Sequence, residues 1–550
     1  MSRSLVLALL LVSCHGDDAY LGSQRTPYEC GTRCEVEPGS PDDPWGWFYN
    51  PEAELGEAPE IVYPLAGSVH PKDLRQLTVQ FRHGRTDFEV FRIRFAAPEL
   101  GLAYDFFTPC LALADDGCRY LLEGNVWDGA REELAGKNTT LTVTGSTAKS
   151  GVMRTSEALE LRVTPSQLEN KGFYYWTTET VYSSGGSVEQ TGIYRLPFGA
   201  DRAEPFIMPN TTTNERQCGA CHSVSRDGST IAFTAVTGSP DQREGVLVAI
   251  GTARPDIEIV EPAPDATYDS SMMTLSSDGR RVLVAYDDGL VLRNASVDPN
   301  VGPGEVIATL TEQDLLGKSP YFPEFSFDDS RVVLTLSDRP DSAIAVQSGD
   351  IAVLQVDLAT SQFAPPEIVV PGDEKEFHFY PTWSPDGEYI AFASAPREMA
   401  EDGFLRKSYD QMKARLRLVH RTGGDVYELR RATHAASSWS TFPKFAPFQD
   451  GDLMYLTFNS KIDYGLVVDN TNRPDRDKAA QLWMSAIDVG QLPGDPSSAP
   501  MWLPFQDATQ SSHLGIWTSE VKCRLDVSGN GCPVGQECDT ASQTCRVRVK

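Results

Sequence analysis

The chain has 550 residues, of which 40% are hydrophobic, and its formal net charge is −29. This length leaves room for two or three domains, each with a buried apolar core. The excess of acidic side chains argues against nucleic acid or anionic lipid headgroups as partners held by bulk electrostatics.

Residues 1–14 have the features of a targeting segment. Arg3 supplies a positive charge, Leu5 to Val12 is a short apolar core, and Leu11-Val12-Ser13-Cys14 has the spacing of a bacterial lipobox. The motif resembles the site at which signal peptidase cuts before a diacylglyceryl-modified cysteine, which predicts a signal peptide over 1–13 and lipidation of Cys14. The alternative is an ordinary signal peptide. We therefore expect a lipid-anchored protein of the bacterial cell envelope, either periplasmic or at the outer membrane and cell surface.

Export would place the other cysteines in an oxidising compartment, where disulfides form. Without Cys14, ten of the 11 cysteines remain, and they lie in local groups. The groups are Cys30 with Cys34, Cys110 with Cys118, Cys218 with Cys221, and the quartet Cys523, Cys532, Cys538 and Cys545. For Cys110 and Cys118 a structural disulfide is favoured over a redox role. The quartet permits three connectivities, which the sequence leaves open.

Residues 14–57 are rich in proline and acidic side chains, which predicts a tether closed locally by Cys30 and Cys34. Its aromatic cluster, Trp45 to Tyr49, is interpreted as a foot packed on the next domain, with a partner-binding patch as the alternative.

Short alternating strands predict a β-sandwich over residues 58–199. The predicted strands are Leu77–Phe81, Phe88–Phe95, Thr140–Thr144, Leu159–Val163 and Phe173–Thr177. The segments Tyr63 to Gly67 and Gly172 to Trp176 resemble strand signatures of bacterial fibronectin type III or immunoglobulin-like domains. Ile193 to Phe198 either ends the sandwich or supplies a strand that closes the next domain.

A degenerate repeat occupies residues 205–520. Its clearest copy is Pro381 to Phe392, in which Ser384-Pro385-Asp386-Gly387 has turn chemistry and Tyr389 to Phe392 suits a buried strand. Four copies are marked, at intervals of 51, 50 and 58 residues, by Asp227, Asp278, Asp328 and Asp386. A looser fifth copy contains Asp450-Gly451. A period near fifty predicts the blades of a β-propeller.

The Trp-Ser-Pro-Asp-Gly core and its trailing apolar strand resemble the repeat of TolB-like β-propellers. Leu514 to Trp517 predicts the opening strand of a sixth blade that an upstream strand completes. The predicted fold is therefore all-β: an immunoglobulin- or fibronectin-like sandwich, a TolB-like propeller of about six blades, and a disulfide-rich module over 521–550. Such propellers serve as docking platforms, ligand-binding domains and enzyme gates, so the fold alone does not define the function.

Cys218-Gly219-Ala220-Cys221-His222 has the spacing by which c-type cytochromes attach haem to two cysteines and ligate iron through the histidine. The motif predicts covalent haem c on Cys218 and Cys221 with His222 as axial ligand. The residues considered for the sixth iron position are His378, His434, His513 and Met272. A small disulfide between Cys218 and Cys221 is an equal alternative, because no cytochrome c helical fold surrounds the motif. Zinc and free thiols are weaker alternatives.

Three histidines stand a few residues before the first strand of a blade. They are His378, His434 and His513, and the repeat alignment brings His222, Met272 and Tyr380 near the inner strands. We therefore expect these side chains around one mouth of the propeller channel. The alternative is that each histidine bonds to its own turn.

The remaining motifs do not favour another chemistry. A calcium loop matches at Asp526, Ser528, Asn530, Gly531 and Glu537, but Ser528 replaces the usual ligand and Cys532 interrupts the loop, so a disulfide knot is favoured. Gly-x-Ser-x-Gly, His-Glu-x-x-His, phosphate-loop and dinucleotide signatures are absent from the sequence. The sequence therefore favours a binding platform for a protein, peptide or glycan, then a haem redox lipoprotein, and a hydrolase last.

Overall fold

The computed structural model describes residues 32–41, 44–48, 57–113, 116–147, 152–165, 168, 171–183, 186–200, 202–208, 218–236, 243–249, 257–260, 272–286, 289–295, 304–338, 345–399, 405–434, 438–472, 478–519, 536–539 and 544–547. For residues 179–190, 218–220, 235–236, 243–249, 257–260, 410, 536–539 and 544–547 it describes the backbone alone. The chain divides into two compact units, Met1–Ser166 with Tyr464–Val467 and Gln167–Asp463 with Val468–Lys550. No helix within these described ranges is long and apolar enough to cross a membrane.

The first unit contains two β-sheets and one α-helix. Its elements are β1 (Cys34–Val36), β2 (Glu60–Tyr63), β3 (Val69–Pro71), β4 (Leu77–Arg82), β5 (Val90–Ala97), β6 (Leu102–Thr108), β7 (Leu111–Ala112), β8 (Gly117–Leu122), α1 (Gly124–Leu134), β9 (Asn138–Ser146), β10 (Met153–Thr155) and β11 (Leu159–Thr164). One sheet has the order β1-β6-β5-β9-β11-β3 with β10 beside β9, and the other has the order β2-β4-β8-β7.

Aromatic side chains fill the space between these two sheets. Phe81 of β4 packs against Phe91 of β5 with ring centroids 5.0 Å apart. Trp127 of α1 packs against Phe95 at 5.1 Å, so the helix, which the strand pattern did not predict, joins the same core. The unit is thus a sandwich, and its assignment to the immunoglobulin or fibronectin class stays a prediction.

The segment predicted as a tether contributes to the core of this unit. β1 pairs in parallel with β6, and Trp45 and Phe48 pack on Phe107 at 4.8 and 5.5 Å. The prediction of an aromatic foot is therefore confirmed, whereas the prediction of an unstructured tether over 14–57 is wrong for residues 34–36 and 44–48. The edge strand β1 buries Cys34 and gives this segment a fixed register.

The predicted disulfide between Cys110 and Cys118 is present, with Cα atoms 5.2 Å apart. Cys34 is also disulfide-bonded. Its predicted partner Cys30 lies outside the described residues, as do Cys14 and the signal peptide predicted over 1–13.

The second unit is a β-propeller. Its elements are β12 (Gly172–Ser183), β13 (Gly186–Pro197), β14 (Glu204–Ile207), β15 (Cys218–Val224), β16 (Thr230–Val236), β17 (Arg243–Ala249), β18 (Ile257–Val260), β19 (Met272–Leu275), β20 (Arg281–Tyr286), β21 (Gly289–Asn294), β22 (Val306–Thr311), β23 (Ser319–Phe325), β24 (Arg331–Ser337), β25 (Asp350–Asp357), β26 (Gln362–Phe363), β27 (Glu367–Val370), β28 (Glu376–Trp383), β29 (Tyr389–Pro396), β30 (Arg415–His420), β31 (Val426–Glu428), α2 (Arg430–Thr433), β32 (Thr441–Asp450), β33 (Leu453–Ser460), β34 (Gln481–Asp488), β35 (Met501–Trp502) and β36 (Ser511–Thr518).

Each blade is an antiparallel sheet. Blades 1 to 5 are β15–β18, β19–β22, β23–β27, β28–β31 and β32–β35, and blade 6 combines β36 with β12, β13 and β14. The first strand of each blade contacts the first strand of the next, and β36 contacts β15, so these strands form a closed inner ring. Closure of this kind protects the sheet edges of a propeller.

The sixth blade corrects the predicted domain boundary. The segment Phe173–Thr177 does not belong to the sandwich: it lies in β12, which pairs with β36 and β13. Ile193–Phe198 falls largely in β13 of the same blade. The prediction of a sandwich extending to residue 199 is therefore wrong, because twelve-residue strands β12 and β13 complete the propeller.

The Ser-x-Asp turns of the repeat share one hydrogen-bonding pattern. The serine hydroxyl donates to the aspartate two residues later at 2.5 to 2.7 Å, for Ser225, Ser276, Ser326 and Ser384. The same hydroxyl accepts a backbone N–H five residues later at 2.9 to 3.0 Å. The residue directly after the aspartate has a positive φ, a conformation that glycine adopts without steric cost. In blade 3 this residue is Asp329, with φ 56°. These aspartates hold turns.

The last described elements are β37 (Gln536–Asp539) and β38 (Thr544–Val547), a hairpin in which Cys538 stands opposite Cys545 in the backbone register. Cys523, Cys532 and the predicted calcium loop up to residue 535 lie outside the described residues.

Candidate binding site in the propeller channel

The inner strands of five blades carry one residue with left-handed backbone at equivalent positions. These residues are Cys221 (φ 50°), Phe322 (φ 52°), Tyr380 (φ 53°), Phe442 (φ 49°) and Leu514 (φ 49°). In four of these strands the register to the neighbouring strand shifts at this point, as in a β-bulge. Positive φ is uncommon for residues other than glycine, and bulges re-aim side chains. The residue with positive φ therefore turns one side chain in each of these five inner strands toward the side chains of the neighbouring inner strands.

Four of these side chains, together with Met272 of blade 2, form a buried apolar layer in the inner ring, here called the plug and defined as Met272, Phe322, Tyr380, Phe442 and Leu514. All five are buried in one hydrophobic cluster, against which Cys221 also packs. Tyr380 stands between Phe442 at 3.9 Å and Phe322 at 4.3 Å, measured between ring centroids. Stacked and edge-on aromatic pairs of this kind add stability beyond their buried area.

A cavity of about 80 Å³ lies beside the plug, between it and the Ser-x-Asp turns. At roughly 10–15 Å³ for each water centre, this is room for a few water molecules or one small ligand. The side chains that give it chemical character are His222, Arg226, Glu324, Thr382 and Lys444.

His222 lies on the cavity wall with 3% of its surface exposed. Burial lowers the pKa of the imidazole to about 4; the nearby backbone of Tyr174 opposes this shift and Lys444 adds to it. The ring is therefore neutral at pH 7. Despite the proximity of Tyr174, neither ring nitrogen makes a hydrogen bond of ordinary geometry to any described residue.

An ion pair crosses the cavity from blade 3 to blade 5. Lys444 donates through Nζ to Glu324 Oε2, and the two side chains are 21% and 13% exposed. The other oxygen of Glu324 accepts from the Thr382 hydroxyl at 2.8 Å and from the Trp383 backbone at 3.2 Å. Both oxygens of the carboxylate are thus occupied, as a buried charge requires.

Arg226 stands on the side of the cavity formed by the Ser-x-Asp turns. From blade 1 its Nη2 donates to the Phe325 carbonyl of blade 3 at 2.7 Å. The guanidinium carbon lies 3.4 Å from the ring centroid of Phe327, a cation–π arrangement. Burial lowers the pKa of Arg226, and the carboxylates of Glu324 and Asp329 oppose that shift. The guanidinium stays charged at neutral pH.

Only part of the predicted residue set comes together. His222, Met272 and Tyr380 line one cavity. None of His378, His434 and His513 lines this cavity, and their position around one mouth of the channel stays a prediction.

Each of these three histidines has another environment. His378 Nδ1 lies 2.8 Å from Ser394 Oγ and its Nε2 lies 3.2 Å from the Pro371 carbonyl. His434 caps the end of α2 at the surface. His513 is buried and stacks on Trp176 with ring centroids 4.2 Å apart. Of the two partners of His378, only the Pro371 carbonyl lies in the loop before its own strand, since Ser394 belongs to β29.

The sequence analysis missed Glu324, Lys444, Arg226 and three residues of the plug, Phe322, Phe442 and Leu514. A signal was present in two equivalent segments, Phe322-Pro323-Glu324-Phe325 and Phe442-Pro443-Lys444-Phe445. Each places one charge in an otherwise apolar inner strand, and the two charges have opposite sign. Such residues are almost never buried unless paired, so the complementary pattern predicts an ion pair across the ring.

Metal ligation by side chains finds little support. Across the part of the chain that the structure describes, no group of three or more histidine, cysteine, aspartate and glutamate side chains could hold a metal ion. The backbone of Cys218 is described without its side chain, so the two-cysteine attachment of haem stays a prediction.

Together the fold and site define a six-bladed β-propeller with a polar cavity in a plugged channel. No protein-family model matches the sequence, and no curated protein matches it. Among solved structures it is similar to hydrazine synthase of Kuenenia stuttgartiensis, with a TM-score of 0.32 and 14% identity over 49% of this chain and 70% of that one.

Two peptidases are similar to this chain with comparable TM-scores. A prolyl endopeptidase gives a TM-score of 0.34 at 14% identity, over 61% of this chain and 42% of that one. A puromycin-hydrolysing peptidase of Mycobacterium tuberculosis gives 0.32 at 14% identity, over 80% and 56%. This chain spans about half the length of either peptidase. No activity follows from likenesses of this size.

Proposed function

We propose that this protein is a ligand-binding β-propeller whose binding site is the channel cavity beside the plug. The observation that carries the proposal is His222, a buried imidazole on the cavity wall for which the Tyr174 backbone is at most a partner of one nitrogen, so that the other nitrogen lacks a hydrogen-bond partner among the described residues. An unpaired buried polar group costs about 1–3 kcal/mol. A ligand that forms a hydrogen bond with the ring would remove this cost. Ligand binding is therefore the function that this site supports best.

The size of the cavity bears on the kind of partner. With about 80 Å³ beside the plug, a protein, peptide or glycan would insert one small group and contact the surrounding loops with the rest. Propellers commonly use such a rigid loop-bearing face for docking. The docking platform and the TolB-like assignment are thus parts of this proposal.

Replacing His222 by phenylalanine should weaken binding in the channel, because phenylalanine keeps the ring volume and removes both nitrogens. The probes are acetate, phosphate, glycine, choline, glycerol and glucose, each titrated while the thermal unfolding midpoint is followed. A probe that stabilises the wild-type chain should bind the His222→Phe variant about tenfold more weakly.

His378→Phe is the matched control, since His378 is buried but does not line the cavity. It should lower stability and leave the probe's affinity unchanged. If no probe stabilises the wild-type chain, or if His222→Phe retains full affinity, the channel is not the binding site.

The membrane attachment is a separate part of the proposal. The lipobox at Leu11 to Cys14 supports an envelope lipoprotein anchored through Cys14, periplasmic or at the outer membrane and cell surface. Mass spectrometry of the N-terminal peptide tests this: an acylated peptide that begins at Cys14 supports the anchor, and an unmodified one rejects it.

A c-type haem protein is the second candidate function. The observation in its favour is that His222, next to Cys221 in the motif, is a neutral buried imidazole with at least one nitrogen that lacks a partner among the described residues. The space argues against it, because the present cavity holds a few waters and a porphyrin is several times larger. If bound, the haem would supply one-electron redox chemistry, with Cys218, Cys221 and His222 holding it.

Absorbance spectroscopy separates the two candidates. The protein is produced in a host that matures c-type cytochromes, and the reduced-minus-oxidised spectrum is recorded with a haem stain of the denatured chain. Covalent haem predicts both signals and their loss in a Cys218→Ala/Cys221→Ala variant. A colourless chain with one disulfide-linked peptide containing Cys218 and Cys221 would reject the haem function and leave ligand binding in place.

A further inference from the structure

The side chains around the cavity have more hydrogen-bond donors than acceptors. Lys444 carries three N–H groups and Arg226 five, and the bonds that the structure describes for them are one each, to Glu324 and to the Phe325 carbonyl. The carboxylate of Glu324 is already occupied by Lys444, Thr382 and Trp383. A ligand that completes this site therefore has to accept hydrogen bonds.

The charges around the cavity also favour a ligand that accepts hydrogen bonds. Lys444 and Glu324 cancel as a pair, which leaves the guanidinium of Arg226 beside the cavity. The carboxylates that act on Arg226 are Glu324 first and then Asp329, but Glu324 is already occupied, and Asp329 accepts from the backbone and hydroxyl of Ser277 at 2.9 to 3.0 Å and does not line the cavity. A chain with a net charge of −29 thus places two cationic donors at one cavity.

We propose that the channel cavity binds a small oxyanion, a carboxylate or phosphate group, through Lys444 and Arg226. Charge-assisted bonds from ammonium and guanidinium groups to oxyanions are about twice as strong as neutral ones. The cavity of about 80 Å³ restricts the bound part to a few heavy atoms. The inference rests on the proposed channel site and names its ligand class.

Isothermal titration of the full chain with acetate, succinate and inorganic phosphate tests the inference and distinguishes a carboxylate from a phosphate source. Choline and glucose are the cationic and neutral comparisons. At least one oxyanion should bind, and Lys444→Met should weaken it about 10- to 100-fold, the equivalent of one charge-assisted hydrogen bond.

Because Lys444→Met leaves Glu324 without its ion-pair partner, the Glu324→Gln/Lys444→Met variant guards against misfolding. It should fold and also lose the oxyanion, whereas His378→Phe should bind it as the wild-type chain does. Full oxyanion affinity in the double variant would overturn the inference.

The other outcomes separate the inference from the proposed function. If glucose or choline binds in a His222-dependent manner and the oxyanions do not, the oxyanion inference fails and the channel site stands. If none of these probes binds the wild-type chain, both fail.

Discussion

Replacing Trp517 by alanine should lower the free energy of unfolding of the propeller by about 3–5 kcal/mol, the usual cost of removing a large buried aromatic side chain. Trp517 lies on β36 with 4% of its surface exposed. Its ring packs on Phe173 at 4.8 Å and on Phe198 at 5.0 Å, and its Nε1 donates to Thr457 at 3.1 Å. One side chain thus holds β36 to β12 and to blade 5.

Urea denaturation followed by circular dichroism measures this effect. Trp517→Phe is the matched variant, because it keeps an aromatic ring and loses the hydrogen bond to Thr457; it should cost about 1–2 kcal/mol. A loss below about 1 kcal/mol for the alanine variant would mean that closure of the ring does not depend on this contact.

Replacing Glu324 by glutamine should destabilise the propeller by about 3 kcal/mol, because it leaves the ammonium of Lys444 in the cavity without its counter-charge. The Lys444→Met variant leaves the opposite charge, the carboxylate of Glu324, without its ion-pair partner. That variant should lose a similar amount of stability, because the carboxylate of Glu324 is then the uncompensated buried charge.

A double-mutant cycle in urea measures the coupling. The Glu324→Gln/Lys444→Met variant should lie within about 1 kcal/mol of the wild-type chain, since a neutral pair removes both uncompensated charges. If the two single losses simply add in the double variant, the side chains are not coupled and the ion pair across the channel contributes nothing.

The blades were predictable because each carries its own local signal. In the Ser-x-Asp-Gly turns the serine hydroxyl bonds both to the aspartate and to a backbone N–H a few residues later, so the pattern is contained in six residues. Cys110 and Cys118 were predictable for the same reason, since their sequence separation is 8.

The features that the sequence analysis missed depend on distant parts of the chain. Phe173 to Thr177 reads as a strand in isolation, and only its pairing with β36 assigns it to the propeller. Glu324 and Lys444 are 120 residues apart, so their meeting depends on the order of blades around the ring. The plug depends on backbone at positive φ for Tyr380 and its equivalents, a conformation for which side-chain type gives little warning.

The composition of blade 6 has a consequence for biosynthesis. Thr177 and Ser511, joined by a 3.0 Å hydrogen bond, are 334 residues apart, so β12 waits for its partner until nearly the whole propeller has been synthesised. Until then the part of β12 that pairs with β36, from Gly172 to Thr178, has one side of unpaired backbone N–H and C=O groups, the kind of edge that recruits other strands into aggregates. A nascent chain or fragment that stops before Ser511 would keep this edge open, which makes it a natural substrate for chaperones and quality-control proteases.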